Sequence, residues 1–222
     1  MFYYIFILYM LNINSFFVNI TSVKKGAFMV EYEKLYKDVK QMLSEKRFNH
    51  CEGVVKRAIE YAQIYNVDIE IVKLVAIAHD IAKELTAEEE QKYIEQYNIK
   101  LDEFEKINHN LVHAKIGAEI CKNKYGFTED MVNSIKYHTT GRANMSLLEK
   151  IIYLADATDE NRKYESKYYV DIIKEDINKG MAEVCKWVIM HLLENNNMVH
   201  IDSVECFNYY INRDGLKIKS KQ

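Results

Sequence analysis

The sequence predicts an all-α fold, a bundle of helices in one domain, and three observations support this prediction. The chain of 222 residues contains no proline, so no pyrrolidine ring interrupts a helix. Apolar residues recur at helical spacing, and no stretch alternates convincingly between apolar and polar residues as a strand would. Capping-box patterns, in which a short polar residue is followed three residues later by Glu, mark several helix starts.

Each predicted helix follows from its periodicity or its capping residue. Apolar residues recur at helical spacing from Arg47 to Tyr65, and Asn66 ends that segment. Asp68 can cap the next helix, which is apolar on nearly every side through Ile81 and is therefore predicted to be central. Capping boxes predict three further helix starts, at Thr86 with Glu89, at Ser146 with Glu149, and at Asp202 with Glu205. Helices are also predicted near 112–125 and 128–138, over 146–157 and across 168–194.

Residues 1–28 are interpreted as a non-native extension from a misassigned start, and residues 29–222 as a single domain. Sixteen of the first twenty residues are apolar or aromatic, and no charged residue precedes Lys24. The alternative interpretation is a membrane anchor of about the minimum spanning length. Back-translation favours a start at Met29, because Lys25 and the codons after it can encode a purine-rich ribosome-binding sequence shortly before that ATG.

Composition argues against two classes of protein. The formal net charge is -3, whereas a nucleic-acid-binding surface normally shows a basic excess. The four cysteines lie far apart without a CxxC pair, so no disulfide framework is predicted, and this distribution suits a reducing cytosol. A cytoplasmic location is therefore expected.

Histidines and aspartates are the candidate functional residues. His79 and Asp80 follow an apolar run, and burial of this pair without a partner would cost several kcal/mol. A bound metal ion would satisfy both groups. Imidazole and carboxylate ligands together suit iron or manganese, and the absence of clustered thiolates argues against structural zinc. In chain order the candidates are His50, His79, Asp80, His113, His138 and Asp156, with Lys83 four residues after His79 on one helical face.

This order resembles the HD superfamily of metal-dependent phosphohydrolases, and more closely its bacterial YqeK-like symmetrical diadenosine tetraphosphatases. The resemblance covers about 47–212. The stretches that carry it are Arg47-Phe48-Asn49-His50, Ala78-His79-Asp80-Ile81-Ala82-Lys83-Glu84-Leu85, Tyr137-His138-Thr139-Thr140-Gly141-Arg142, and Met145 to Asp156 followed by Arg162. A lone His-Asp pair would be weak evidence, but the last two stretches together are highly specific. Two departures are Ile201 after His200 and Ala114 after His113, where the family usually has proline.

The resemblance implies an HD-type helical fold and a set of site residues. The implied metal ligands are His50, His79, Asp80 and Asp156, and the implied metal is iron, with another first-row divalent ion as the alternative. Asp80 and Lys83 are implied as catalytic. Residues implied to bind substrate are Arg47, Asp80, Ile81, Ala82, Lys83, His113, His138, Thr139, Asp156, Arg162 and His200. For His113 and His138, ordinary core positions and ligation of a second metal ion remain open.

The activity implied is metal-dependent hydrolysis of diadenosine tetraphosphate to two ADP. The expected partners are a dinucleoside polyphosphate substrate and its ADP product, with no nucleic acid and, where Met29 is the start, no membrane. A homodimer is compatible with the sequence. The alternatives are another HD nucleotidase and a nucleotide-sensing module without turnover. Guanosine-tetraphosphate hydrolysis is disfavoured, since Lys83 and Glu84 replace the paired acids of the HDxxED pattern.

Overall fold

The computed structural model describes residues 32–159 and 166–213, which form helices joined by short turns and contain no strand. The all-α prediction is confirmed. The helices are α1 (32–42), α2 (Glu45–Tyr65), α3 (Ile69–Ala78), α4 (Ala87–Tyr97), α5 (Val112–Tyr125), α6 (Glu129–Lys136), α7 (Leu147–Ala157), α8 (Ser166–Glu175), α9 (Ile177–Glu194) and α10 (Ile201–Arg213), with a short 3-10 turn at His109–Leu111 before α5.

Several helix boundaries lie where the sequence predicts them. Thr86 and Ser146 both form complete capping boxes, because each hydroxyl accepts from the backbone N–H of a Glu whose carboxylate returns to the cap residue. Asn66 ends α2 in the left-handed conformation, with φ of 54°. Its backbone N–H donates to the Ala62 carbonyl and so satisfies one of the last groups of the helix.

Three predicted boundaries are wrong. The α-helix predicted through Ile81 ends at Ala78, and hydrogen bonds three residues apart then carry His79, Asp80 and Lys83 through tight turns. His79 and Lys83 therefore do not share a regular helical face.

The single helix predicted over 168–194 is two helices. Asp176 interrupts it, because its extended backbone and its side chain, which accepts from the backbone N–H groups of Asn178 and Lys179, start a new helix. The last helix begins at Ile201, so Asp202 lies inside its first turn and is not its cap.

The packing of α2, α3, α6 and α7 positions the functional residues. Helix α2 packs against α3 and α7, and α6 bridges α5 and α7. The central helix α3 buries every residue from Leu74 to Ala78, and α7 buries Ile151, Ile152 and Leu154 fully or nearly so. The C-terminal ends of α3 and α7 consequently lie beside His50 of α2, and His138, just beyond the end of α6, lies beside His79.

Within the described ranges no helix is long and apolar enough to cross a membrane. The interpretation of residues 1–28, as leader or anchor, concerns residues outside those ranges.

Candidate metal centre and active site

Three buried histidines are held in one tautomer by the backbone. His79 Nδ1 lies 2.7 Å from the Ala76 carbonyl oxygen, and His138 Nδ1 lies 2.7 Å from the carbonyl oxygen of Ile135. His113 makes the corresponding contact with the carbonyl three residues before it, at 2.8 Å. A carbonyl only accepts, so each Nδ1 carries the proton. In the neutral ring, each Nε2 then presents a lone pair to the site.

His50 and Asp156 bring two further ligand atoms from α2 and the end of α7. His50 Nε2 lies 3.1 Å from Asp156 Oδ1, and His50 Nδ1 lies 2.9 Å from Asp159 Oδ2. Burial lowers the pKa of His50, but the two carboxylates overcome this effect and raise the pKa to about 9. The two carboxylates therefore make this position favourable for a cation.

Asp80 lies at the centre of the cluster. Its Oδ1 is 3.1 Å from His113 Nε2 and 3.5 Å from His138 Nε2, while its Oδ2 is 3.5 Å from His79 Nε2 and 3.8 Å from His50 Nε2. Burial raises the pKa of Asp80, but the surrounding imidazoles outweigh burial and hold that pKa well below its ordinary value. Asp80 is therefore a carboxylate that can share its oxygens between several neighbours.

His113 is neutral over the physiological pH range. Burial lowers its pKa to about 4, with the Lys83 cation and His138 acting in the same direction against the opposing effect of Asp80. Lys83 Nζ lies 3.4 Å from His113 Nδ1 and 3.4 Å from the Asn110 carbonyl oxygen. The cluster thus has a cation at its edge and the neutral imidazole of His113 inside it.

The donor set fits a divalent metal ion. Among the described residues, neither His50 Nε2 nor His79 Nε2 makes a contact with hydrogen-bond geometry, although both are buried and Asp156 Oδ1 lies 3.1 Å from His50 Nε2. A buried nitrogen without a hydrogen bond costs free energy. A metal ion would accept both lone pairs. Among the groups whose ligand atoms lie within 4.8 Å of one another are His50 with His79 and Asp80, and His79 with His138 and Asp156. A third overlapping group joins Asp80 to His113 and His138.

A cavity of about 260 Å³ opens beside this cluster. It is lined by the basic residues Arg47 and Lys83 and by the acidic residues Asp80 and Asp156. The remaining wall is formed by His138, Thr139, Tyr153, Ala157, Trp187 and Val188. The cavity can therefore receive an anionic group next to the candidate metal ligands.

Most of the site residues expected from the sequence lie together, and three of those that the structure describes do not. Ile81 and Ala82 are almost completely buried, with side chains that pack close to Gly117. His200 lines a different cavity, where its Nε2 contacts Asp102 at 3.1 Å. Arg162 lies outside the described residues.

Sequence reasoning missed several residues that surround the cluster. Asp159 contacts His50, and Tyr153 and Trp187 line the cavity. Asp159 had one available signal, since it follows Asp156 by three residues directly beyond a predicted helix. Trp187 is the one tryptophan of the chain, but its helical spacing is also that of a core residue.

A cluster of histidines and aspartates contributed by several helices of an all-helical bundle is typical of HD-type metal-dependent hydrolases. The HD domain family model matches residues 47–161 of this chain, and the chain belongs to that family. The expected fold family is confirmed.

The chain is similar to two proteins named bis(5'-nucleosyl)-tetraphosphatase, symmetrical. It is 34% identical to the Bacillus subtilis protein, over 78% of this chain and 94% of the relative. It is 35% identical to the Halalkalibacterium halodurans protein, over 77% of this chain and 91% of the relative. A crystal structure of a "predicted HD superfamily hydrolase involved in NAD metabolism" from Clostridium acetobutylicum matches with a TM-score of 0.77 and 34% identity, over 82% of this chain and 97% of that chain.

Proposed function

We propose that this protein hydrolyses diadenosine tetraphosphate symmetrically, giving two ADP. The observation that carries the proposal is the position of Arg47 and Lys83, two cationic side chains, in the cavity that Asp80 and Asp156 also line. Positive charge favours the binding of a polyphosphate, and a metal ion can activate the water that attacks its phosphorus. The names of the two curated relatives support the dinucleotide as substrate.

We assign the metal to His50, His79, Asp80 and Asp156, and we propose iron as the ion. Two buried imidazole nitrogens without a hydrogen bond and two carboxylates support this assignment, because nitrogen and hard oxygen donors suit iron, with manganese as the close competitor. When bound, the ion supplies Lewis-acid polarisation of a phosphoryl oxygen and makes water more acidic.

The chain's own residues bind and orient the substrate. Lys83 and Arg47 offset the negative charge of the phosphate oxygens, and a guanidinium can contact two oxygens at once. Each well-placed donor can contribute a few kcal/mol of transition-state stabilisation. His113, His138 and Thr139 complete the phosphate-facing side of the proposed site, and we assign Arg162 to the same role on the resemblance alone.

The reaction consumes one water molecule. The water oxygen bonds to a phosphorus that is second from one adenosine, and the bridging bond to the third phosphate breaks. The leaving ADP takes a proton, and the attacked half is also released as ADP. The position of the phosphate chain in the cavity decides which phosphorus is attacked.

A cytoplasmic location belongs to the same proposal. It is supported by the four cysteines, all of which are buried and free. A reducing compartment suits four cysteines that lie far apart in the sequence without a CxxC pair.

Product analysis tests the function. Purified protein is loaded with ferrous or manganous ion and incubated with diadenosine tetraphosphate, and the nucleotides are separated by chromatography. The proposal predicts ADP as the single product. Formation of AMP with ATP, or hydrolysis of mononucleotides in preference to the dinucleotide, would contradict it. An Asp80→Asn variant controls for contaminating phosphatases.

A further inference from the structure

Asp159 is a buried carboxylate placed directly against a candidate metal ligand. It follows α7 after one intervening residue, its exposed fraction is 0%, and its Oδ2 lies 2.9 Å from His50 Nδ1. A fully buried charge is costly unless it is paired and hydrogen-bonded. The contact with His50 therefore links the end of α7 to the middle of α2.

The His50 tautomer has to be fixed from outside its own helix. The rings of His79, His113 and His138 each donate from Nδ1 to a carbonyl three residues earlier, at a helix end or a turn. His50 lies inside α2, where the backbone carbonyls are already engaged in the helix. A carboxylate can only accept, so Asp159 assigns the proton to Nδ1 and leaves the lone pair on Nε2.

The turn that carries Asp159 is itself fixed by α2. Thr158 Oγ1 lies 2.8 Å from Tyr61 Oη and donates to the Leu154 carbonyl at 2.7 Å. The Thr158 carbonyl accepts from Arg57 Nε at 3.2 Å. Arg57 and Tyr61 follow His50 by seven and eleven residues, which places all three on one face of α2. One face of α2 thus supplies both the candidate ligand His50 and the contacts that hold the turn of its partner Asp159.

We propose that Asp159 is a positioning residue that holds His50 with its Nε2 lone pair directed at the metal. This inference rests on the proposed ligand set. Such partners of ligating histidines orient the ring and raise its basicity, and their loss typically weakens metal binding 10–100-fold.

Metal binding to purified full-length protein tests this role without any need for turnover. The metal is removed with chelator, and Co²⁺ is titrated while its visible absorption spectrum is recorded. Asp159→Asn keeps the side-chain size, but its amide can present either an oxygen or an NH₂ group to Nδ1. The proposal predicts a dissociation constant raised about 10–100-fold and an altered Co²⁺ spectrum. Asp159→Glu, which restores the carboxylate, recovers most of the affinity.

Asp38→Asn is the matched control, because Asp38 also accepts a hydrogen bond from another helix, from the Tyr125 hydroxyl, and is not among the candidate metal ligands. This variant is expected to bind Co²⁺ as the wild type does. Thr158→Val provides a second variant, since it removes the hydroxyl contacts with Tyr61 and Leu154 that hold the turn, while the Asp159 side chain itself is unchanged. A smaller loss of affinity in the same direction is expected, and this comparison remains available if Asp159→Asn does not fold.

Wild-type affinity in both Asp159→Asn and Thr158→Val would overturn the positioning role alone. A loss of folding free energy in Asp159→Asn with an unchanged Co²⁺ spectrum and affinity would also overturn it, because the residue would then be merely structural. Failure of the wild-type protein to bind metal would overturn both this inference and the proposed ligand set.

Discussion

Arg47 donates a hydrogen bond of 3.0 Å to Asp80 Oδ2, and this contact links the substrate-facing cation to the central carboxylate of the cluster. The Arg47 side chain is 34% exposed, whereas that of Asp80 is 4% exposed. The guanidinium therefore lies at the mouth of the site with donors available for an anion.

Replacing Arg47 is expected to weaken substrate use and leave the metal bound. Arg47→Ala should lower kcat/KM about 10–100-fold, because a hydrogen bond to a charged group contributes about 1.5–3 kcal/mol. Arg47→Lys should recover part of this loss, since it keeps the charge without the two-oxygen contact. Steady-state kinetics with diadenosine tetraphosphate, alongside elemental analysis, measures both effects. Loss of metal from Arg47→Ala would contradict the assigned role.

Asp80 and Lys83 should separate metal binding from substrate binding. Asp80→Ala and Asp156→Ala each remove a charged ligand and are expected to empty the metal site and abolish turnover. Lys83→Ala should retain the metal and lower turnover, because Lys83 acts on the substrate anion. The two properties are measured by elemental analysis and by product formation. Equal loss of metal in Lys83→Ala and Asp80→Ala would show that this division of roles is wrong.

The raised pKa of His50 predicts how the stability of metal-free protein depends on pH. The folded pKa of about 9 exceeds the ordinary value of 6.5, so protonated His50 stabilises the fold fully below pH 6.5. That contribution declines as pH rises and is lost above about 9, and its full size is on the order of 3 kcal/mol. Urea unfolding of chelated wild type and His50→Gln at several pH values measures it. A difference that does not shrink between pH 6.5 and 9 would refute the prediction.

Gly141 is expected to be intolerant of a side chain in the turn after α6. Its φ is +66°, and an added Cβ would lie 2.6 Å from Cys206 Sγ. Gly126 has a similar φ of +68° with nothing within 4 Å of such a Cβ, so it is the matched control. Gly126→Ala should cost about 1–2 kcal/mol of unfolding free energy, and Gly141→Ala clearly more.

Gly141→Ala is expected to destabilise the protein both by its positive φ and by its close contact with Cys206. A Cys206→Ala change in the Gly141→Ala background separates these two causes. Removing the sulfur relieves the close contact and should return the unfolding free energy toward that of Gly126→Ala. Chemical denaturation measures all four proteins. Equal destabilisation by Gly141→Ala and Gly126→Ala would show that the contact with Cys206 has no effect.

The sequence predicts those parts of the fold and site that depend on local signals. Thr86 and Ser146 begin helices because their side chains and the following Glu are sufficient to cap them. His79 and Asp80 stand out because an apolar run must bury them. Asp176 looked compatible with a continuous helix, and only its extended backbone separates α8 from α9.

Long-range relationships account for what the sequence does not reveal. Asp159 is 109 positions from His50, and its role depends on where the turn after α7 is held by α2. The family resemblance implies that His200 binds substrate, yet its imidazole contacts Asp102 and Phe104 in another cavity. Neither arrangement leaves a periodic or local signal in the chain.

The location of the metal tests the central claim most directly. Crystals of the iron-loaded protein, measured on both sides of the iron absorption edge, would show the ion by its anomalous scattering. The account predicts a peak within bonding distance of His50 Nε2, His79 Nε2 and the carboxylates of Asp80 and Asp156. Asp102, Glu105 and His200 form another group whose ligand atoms lie within 4.8 Å of one another. A peak only at that group, or no peak at the predicted four residues, would contradict the account.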